Sequence, residues 1–128
     1  MNIGEVAIRS DVSTKVIRRY EEAGIIPKAG RSDSGYRLYS EKDVHILKFV
    51  KHARELGFSM KDIKQLVSLW RNKSRPSSQV KSIALKHRQE LEKKLSEIQS
   101  MLQTLNKLVK NCHGDSRPDC PIFEELER

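Results

Sequence analysis

The stretch 79–110 constrains this chain more than any other feature, because it contains neither glycine nor proline. Apolar residues recur along it at alternating spacings of four and three, which is the periodicity of a coiled coil. They form what we call the apolar stripe: Leu91, Leu95, Ile98, Leu102, Leu105 and Val109. A helix of this length extends about 50 Å at 1.5 Å per residue, farther than a small domain can cover. Folding back onto the same chain is the alternative, but so long and narrow a stripe favours dimerisation.

The charge balance indicates a polyanionic partner. The chain has 128 residues, a formal net charge of +8 and only 5% aromatic residues, so its core must come mainly from aliphatic side chains on helices. A basic protein of this kind is expected to bind nucleic acid before it binds an anionic membrane. No run approaches the roughly 20 apolar residues of a spanning helix, and the first residues lack a signal-peptide pattern. We therefore expect a cytoplasmic protein with no membrane association.

Two short helices joined by a tight turn are predicted at the start of the chain. They span Ile3 to Ser10 and Ser13 to Ala23, with Ser13 as a cap for the second helix. Gly24 suits a left-handed helix end, and Pro27 prevents the helix from resuming. With basic side chains on its second helix, the pair forms a helix-turn-helix whose second helix would enter the major groove of DNA.

The next segments predict a wing and two further helices. Residues 29–35 are polar and glycine-containing, and residues 36–39 alternate like a short strand. Ser40 and Ser59 each precede an acid by three residues, which is the signature of a capped helix start. These signals predict helices from about Glu41 to Leu56 and from Met60 to Trp70, with Gly57 between them.

The stretch from Asn72 to Ser78 contains a proline and three serines and is predicted to be a hinge. The predicted organisation is therefore mainly α-helical: a winged helix-turn-helix domain at 1–71, the hinge at 72–78, a dimerisation helix at 79–110, and a loop with a short final helix at 111–128. Pro121 suits the first turn of that final helix.

Both cysteines of the chain, Cys112 and Cys120, lie in the C-terminal loop. Cytoplasmic cysteines are normally thiols, and a pair of thiolates suits soft ions such as Cu(I), Ag(I), Au(I), Zn(II) or Hg(II). A structural zinc site needs four ligands, and only His113 and two acids could supplement the thiolates. We interpret His113 as a surface histidine, because its ring is poorly placed to share an ion with Cys112. The pair itself therefore predicts a soft-metal site without fixing the metal.

Four segments together resemble the MerR family of regulators, and specifically its copper-efflux branch. They are residues 3–7, residues 17–26, residues 31–39, and Cys112 with Cys120 and Pro121. The resemblance covers nearly the whole chain. It implies a winged helix-turn-helix joined to an antiparallel coiled-coil dimer, with a metal-binding loop near the start of the partner's long helix. It also implies activation by distortion of promoter DNA, which realigns the promoter for RNA polymerase.

The resemblance also implies which residues contact DNA. On the recognition helix Arg18 is the expected base reader, because a guanidinium can donate two hydrogen bonds to guanine. The other expected contacts hold phosphates and fix the register. A solvated surface charge is the alternative for each basic residue. The full predicted set is Lys15, Arg18 and Tyr20 on the helix, Arg31, Tyr36 and Arg37 on the wing, and Arg54 beyond it.

Ser77 favours a monovalent ion through the same resemblance, because divalent-sensing relatives carry a third cysteine at that position. Two thiolates on a +1 ion retain one negative charge, which Lys81 could neutralise across the dimer. An ordinary solvated lysine is the alternative. We predict a Cu(I)-responsive activator of metal-efflux genes, with Ag(I) or Au(I) as further candidate ions, and no enzymatic activity. A divalent zinc or mercury sensor and a cytoplasmic thiolate buffering protein are the alternative functions.

Overall fold

The structure is a computed structural model that describes residues 1–31, 35 and 37–128, with the backbone alone at residues 31 and 37. The described residues form six helices and one short antiparallel hairpin, so the predicted mainly helical class is confirmed. In chain order the elements are α1 (Ile3–Ser10), α2 (Thr14–Glu22), β1 (Gly30–Arg31), β2 (Arg37–Leu38), α3 (Glu41–Glu55), α4 (Met60–Arg71), α5 (Ser77–Asn111) and α6 (Pro121–Glu127).

Serine side chains begin three of these helices, as the sequence predicts. The Ser13 hydroxyl accepts a hydrogen bond from the Val16 N–H at 3.2 Å at the start of α2. Ser40 and Asp43 exchange side-chain and backbone hydrogen bonds in a complete capping box before α3. Ser59 accepts from the amide three residues on and begins α4. These bonds satisfy N–H groups that have no partner inside the helix.

The turn between α1 and α2 depends on a left-handed residue that the sequence did not reveal. Asp11 has φ 56° and ψ 38°, and its N–H bonds to the Ala7 carbonyl of α1. Aspartate tolerates this conformation better than most residues. Its carboxylate also pairs with Lys51 on α3, so the turn is tied to a helix far along the chain.

Residues Met1–Ile83 form the first compact unit. Within it α1 packs on α2 and α3, and α3 packs on α4. Aliphatic side chains from all four helices and the segment after α2 are buried together at the centre. Those with almost no exposed surface are Val6, Ile17, Ile26, Val44, Ile46, Leu47, Val50 and Ile63. The helix-turn-helix therefore stands on a well-packed core.

The wing region contains the hairpin of β1 and β2. Gly30 pairs with Leu38 and Arg31 with Arg37, so the second strand lies inside the predicted segment 36–39. Just beyond β2, the Tyr39 N–H donates to the Met1 carbonyl at 2.8 Å, and the Met1 ammonium donates to the Tyr39 carbonyl at 2.9 Å. The base of the hairpin is thus held against the start of the chain.

Residues Ala84–Arg128 form the second compact unit, which contains most of α5, the cysteine loop and α6. Helix α5 is 35 residues long and begins at Ser77, two residues before the predicted start. In the single chain the apolar stripe is exposed, from 44% at Leu91 to 64% at Val109. The finer domain boundaries given above remain a prediction. Among the helices that the structure describes, none has the length and apolar character needed to cross a bilayer.

Candidate functional site

Helix α2 has two chemically distinct faces. Ile17 is fully buried and Glu21 is 7% exposed, while Lys15, Arg18 and Arg19 are exposed. The helical repeat places residues three and four apart on one face, so burial of one side leaves the basic side in solvent. The structure thus leaves two residues of the predicted DNA-binding set, Lys15 and Arg18, free to meet a ligand together.

Tyr20 and Arg54, predicted separately as DNA contacts, line the same groove. The groove has a volume of about 510 Å³ and lies between α2, the end of α3 and the start of α4. We call it the basic groove, because its lining has four cationic side chains and no acidic one. Its lining residues are Arg19, Tyr20, Ala23, Ile25, Arg54, Met60, Lys61 and Lys64.

Three cations of the basic groove were not in the predicted set of DNA contacts: Arg19, Lys61 and Lys64. Their charge was visible in the sequence, but the packing of α4 beside α2 was not. Lys64 also borders a neighbouring depression of about 410 Å³ that Arg71 lines. The positive surface therefore continues along α4, and it suits a polyanion such as a phosphate backbone.

Glu21 connects the recognition helix to the wing. Its carboxylate accepts a hydrogen bond from the Ala29 N–H at 2.6 Å, just before β1, and one from the Tyr39 hydroxyl at 3.2 Å, just after β2. Both ends of the hairpin are thus tied to one buried side chain on α2. The sequence showed Glu21 only as part of a motif, because its partners come from the fold.

The predicted wing contacts fall at residues 31, 36 and 37. Residue 36 and the side chains of residues 31 and 37 lie outside the described part of the structure. Their role as DNA contacts therefore stays a prediction. The backbone of residues 31 and 37 belongs to the paired strands.

Cys112 and Cys120 come together at the end of the long helix. Cys112 directly follows α5, and its N–H donates to the Leu108 carbonyl at 3.1 Å. Cys120 occupies the position before α6, where Pro121 takes the first helical turn. The two Sγ atoms lie 3.3 Å apart, and both side chains are half-buried. The loop between them, residues 112–120, is called the cysteine loop below.

The surroundings of Cys120 favour its thiolate. The hydrogen bond from the Cys112 side chain is the main cause that lowers the pKa of Cys120, and the backbone N–H groups of Phe123 and Ile122 lower it further. Neither amide completes a capping hydrogen bond to the sulfur. Amides at a helix start carry partial positive charge, which stabilises an anionic sulfur.

Within the cysteine loop, Asp115 and Arg117 form a local brace. The Asp115 carboxylate accepts from the Arg117 backbone N–H at 2.9 Å and from its Nε at 2.9 Å. This contact lowers the pKa of Asp115. His113 is exposed. Among the described residues, no group of three or more His, Cys, Asp or Glu side chains is arranged to hold a metal ion.

Ser77 and Lys81 lie on the first turns of α5 and belong to the first compact unit, whereas the cysteines belong to the second. Both side chains are exposed. Their predicted place beside a metal loop involves a second copy of the chain and stays a prediction.

Comparison with known proteins agrees with this architecture. Residues 1–69 match the family described as MerR HTH family regulatory protein, and residues 44–108 match the one described as MerR, DNA binding. The chain is 56% identical over 126 residues to heavy metal-dependent transcription regulator 2 of Rhizobium meliloti, covering 98% of this chain and 86% of the relative. It is 39% identical to the HTH-type transcriptional regulator CueR of Salmonella typhimurium, and the match covers 98% of this chain and 91% of that relative.

Among solved structures, the transcription regulator PbrR691 from Ralstonia metallidurans in complex with lead(II) superposes with a TM-score of 0.88. The sequence identity is 26%, and 98% of each chain is covered. The resemblance to the MerR family is therefore confirmed, and metal-dependent regulators are among the relatives. The expectation that the protein is not an enzyme is confirmed as well, because the family consists of transcription regulators. This chain belongs to the MerR family of transcription regulators.

Proposed function

We propose that the protein is a metal-responsive regulator that binds promoter DNA as a homodimer and activates metal-efflux genes when Cys112 and Cys120 hold a Cu(I) ion. Ag(I) and Au(I) are further candidate ions. The observation that carries the proposal is the 3.3 Å separation of the two sulfurs between α5 and α6. Zinc–thiolate bonds are about 2.3 Å long, so the two sulfurs are close enough to bind one ion once they move apart by about 1 Å toward the open S–metal–S angle of a two-coordinate site.

The donor set supports a soft ion of low coordination number. Two thiolates form the site on this chain, and Ser77 replaces the third cysteine expected of divalent sensors. A +1 ion on two thiolates leaves one negative charge near α6. The first amides of α6 face Cys120 and offset part of that charge. Arg117 is engaged by Asp115, so the remaining positive charge is expected from Lys81 across the dimer.

The apolar stripe supports the dimer. Its six side chains are about half exposed in the single chain, and an exposed apolar surface of this length marks a protein interface. Pairing of two α5 helices buries the stripes against each other by knobs-into-holes packing. The family suggests an antiparallel arrangement, which also brings each cysteine loop near the start of the other α5.

The basic surfaces support the DNA-binding role. Arg18 on the exposed face of α2 is the expected reader of guanine, with Lys15 on a phosphate. The cations of the basic groove hold the backbone beside the helix. We propose that contacts with the dimer offset the free-energy cost of bending and untwisting the promoter. The distorted promoter then presents its two recognition elements in alignment to RNA polymerase.

A divalent-metal sensor is the second candidate. The observation that favours it is the close structural similarity to a regulator whose solved structure is a lead(II) complex. A thiolate protein that buffers metal ions is the third candidate function. The basic groove argues against it, because a buffering protein does not need to bind a polyanion.

The deciding experiment is in vitro transcription with RNA polymerase and a promoter that the purified protein selects from random-sequence DNA. Cu(I), Ag(I), Zn(II) and Hg(II) are compared at equal free concentration. We expect activation by the monovalent ions, no response of Cys112→Ser, and a normal response of the matched loop variant His113→Ala. Activation by Zn(II) at comparable concentration would overturn the monovalent assignment. Failure of the apo protein to select any DNA would overturn the regulator itself.

A further inference from the structure

We propose that Cys112 and Cys120 are also a reversible modification site, at which a hydroperoxide converts the two thiols into one disulfide within the cysteine loop. The modification would uncouple the regulator from its metal. This inference rests on the proposed function only for its consequence, since the chemistry requires only the two thiols and a hydroperoxide, and no metal.

The geometry favours closure within one chain. The Sγ atoms are 3.3 Å apart, and a disulfide bond is about 2.05 Å long, so the sulfurs need to approach by roughly 1.3 Å. Cys112 follows the last residue of α5 and Cys120 precedes α6. Neither sulfur must therefore break a helix to move.

The loop itself can absorb this approach. Gly114 lies two residues after Cys112 and has φ 67°, a conformation that glycine adopts without strain. The Asp115–Arg117 brace closes the turn without using either sulfur. The same turn therefore serves the dithiol and the disulfide. Both cysteines are half-buried rather than enclosed, so a small oxidant can reach them.

The reaction balances with a hydroperoxide as the oxidant. One thiolate attacks an oxygen of the O–O bond, so that an S–O bond forms, the O–O bond breaks and an alcohol or water leaves with a proton. The second thiolate then attacks this sulfenic sulfur, so that the S–S bond forms, the S–O bond breaks and hydroxide leaves as water. Two thiols lose two electrons and two protons, and the hydroperoxide is reduced.

The oxidised regulator would remain bound to DNA but would no longer bind or respond to the metal ion. A disulfide has no thiolate to offer a soft ion. The exposed face of α2 and the basic groove belong to residues 1–83 and contain no cysteine. Cellular thiols reverse the bond by exchange. The few disulfides that form in a reducing compartment are usually transient in this way.

The test treats the reduced, metal-free, full-length protein with one equivalent of hydrogen peroxide per chain. We expect a mass loss of about 2 Da within a single chain, loss of both free thiols and at least a tenfold fall in Cu(I) uptake. DNA binding should not change, and dithiothreitol should restore uptake. Cys112→Ser should stop at a sulfenic acid on Cys120, about 16 Da heavier, whereas His113→Ala should behave as wild type.

Three outcomes contradict the proposal: over-oxidation of both sulfurs, disulfides between chains, or an oxidised protein that still takes up Cu(I). Failure of the reduced protein to bind Cu(I) would instead count against the proposed function. The mass measurement would still decide whether the loop disulfide forms, so the two failures are distinguishable.

Discussion

The two compact units bury their apolar residues in different ways. In residues 1–83, side chains such as Ile17, Leu47 and Ile63 have no exposed surface. In residues 84–128, all of which the structure describes, His87 alone is buried and the apolar stripe is about half exposed. The first unit therefore has a core of its own. The second has the apolar surface of half a core, and in the proposed dimer a second chain supplies the other half.

Removing a core side chain should have the largest effect. Leu47→Ala deletes a fully buried side chain of α3 and leaves a cavity, so we expect it to lower the free energy of unfolding by about 2–5 kcal/mol. Urea denaturation of the full chain measures this. The matched control is Leu56→Ala, because Leu56 directly follows the same helix and is 65% exposed. An equal loss in both variants would mean that the first unit lacks the core described here.

A charge on the apolar stripe tests the second unit. Leu102→Glu places a carboxylate on the stripe of each chain, and we expect the dimer dissociation constant to rise at least about 100-fold, or roughly 2.7 kcal/mol. Analytical ultracentrifugation over a concentration series measures it. Gln103→Glu adds the same charge one position away, off the stripe, and should leave the dimer intact. A monomeric wild type, or equal weakening by both variants, would contradict the role given to the stripe.

The buried carboxylate of the first unit should have a smaller effect. Glu21→Gln keeps the shape but replaces one acceptor oxygen by a donor, so it weakens the tie to Ala29 or to Tyr39. We expect a loss of about 1–2 kcal/mol in the free energy of unfolding. DNA affinity should fall further than stability alone explains, because the wing loses its register against α2. Glu22→Gln on the exposed side of the same helix is the control, and comparable effects of the two would remove Glu21 from this role.

The smallest effect should appear only at low pH. Arg9 lowers the pKa of Glu41 below its ordinary value of 4.5 through a bidentate hydrogen bond. A lowered folded-state pKa contributes stability above the unfolded pKa, and that stability is lost as the pH falls through the folded value. Glu41→Gln should therefore flatten the decline in melting temperature below about pH 4.5. Glu97→Gln, in the second unit, should leave this slope unchanged, and an unaltered slope in Glu41→Gln would contradict the ion pair.

The sequence was most informative where local chemistry decides the structure. Three helix starts could be predicted from their serine caps, Ser13, Ser40 and Ser59. Each serine hydroxyl accepts a hydrogen bond from a backbone N–H only three positions away, so the sequence alone shows both partners. The left-handed backbone conformation of Asp11 was not predicted, because aspartate adopts that conformation only in some turns.

Contacts between distant segments were also beyond reach. The basic groove is lined by residues of both α2 and α4. The hydrogen-bond partners of Glu21 lie at the two ends of the hairpin. For the proposed metal site, the two thiols were predicted from the sequence, and the structure brings them together. The roles of Ser77 and Lys81 depend on a second chain, so one sequence and one chain leave them as predictions.

The division of α2 into two faces has a consequence for how such regulators diversify. Ile17 and Glu21 serve the fold from the inner face, while Lys15, Arg18 and Arg19 on the outer face support no core contact. Exposed substitutions of this kind usually change stability by less than about 0.5 kcal/mol. The outer residues can therefore be exchanged as a set while the scaffold stays intact. In the proposed DNA-binding mode, such an exchange changes the operator preference by mutation or by engineering without altering the cysteine loop.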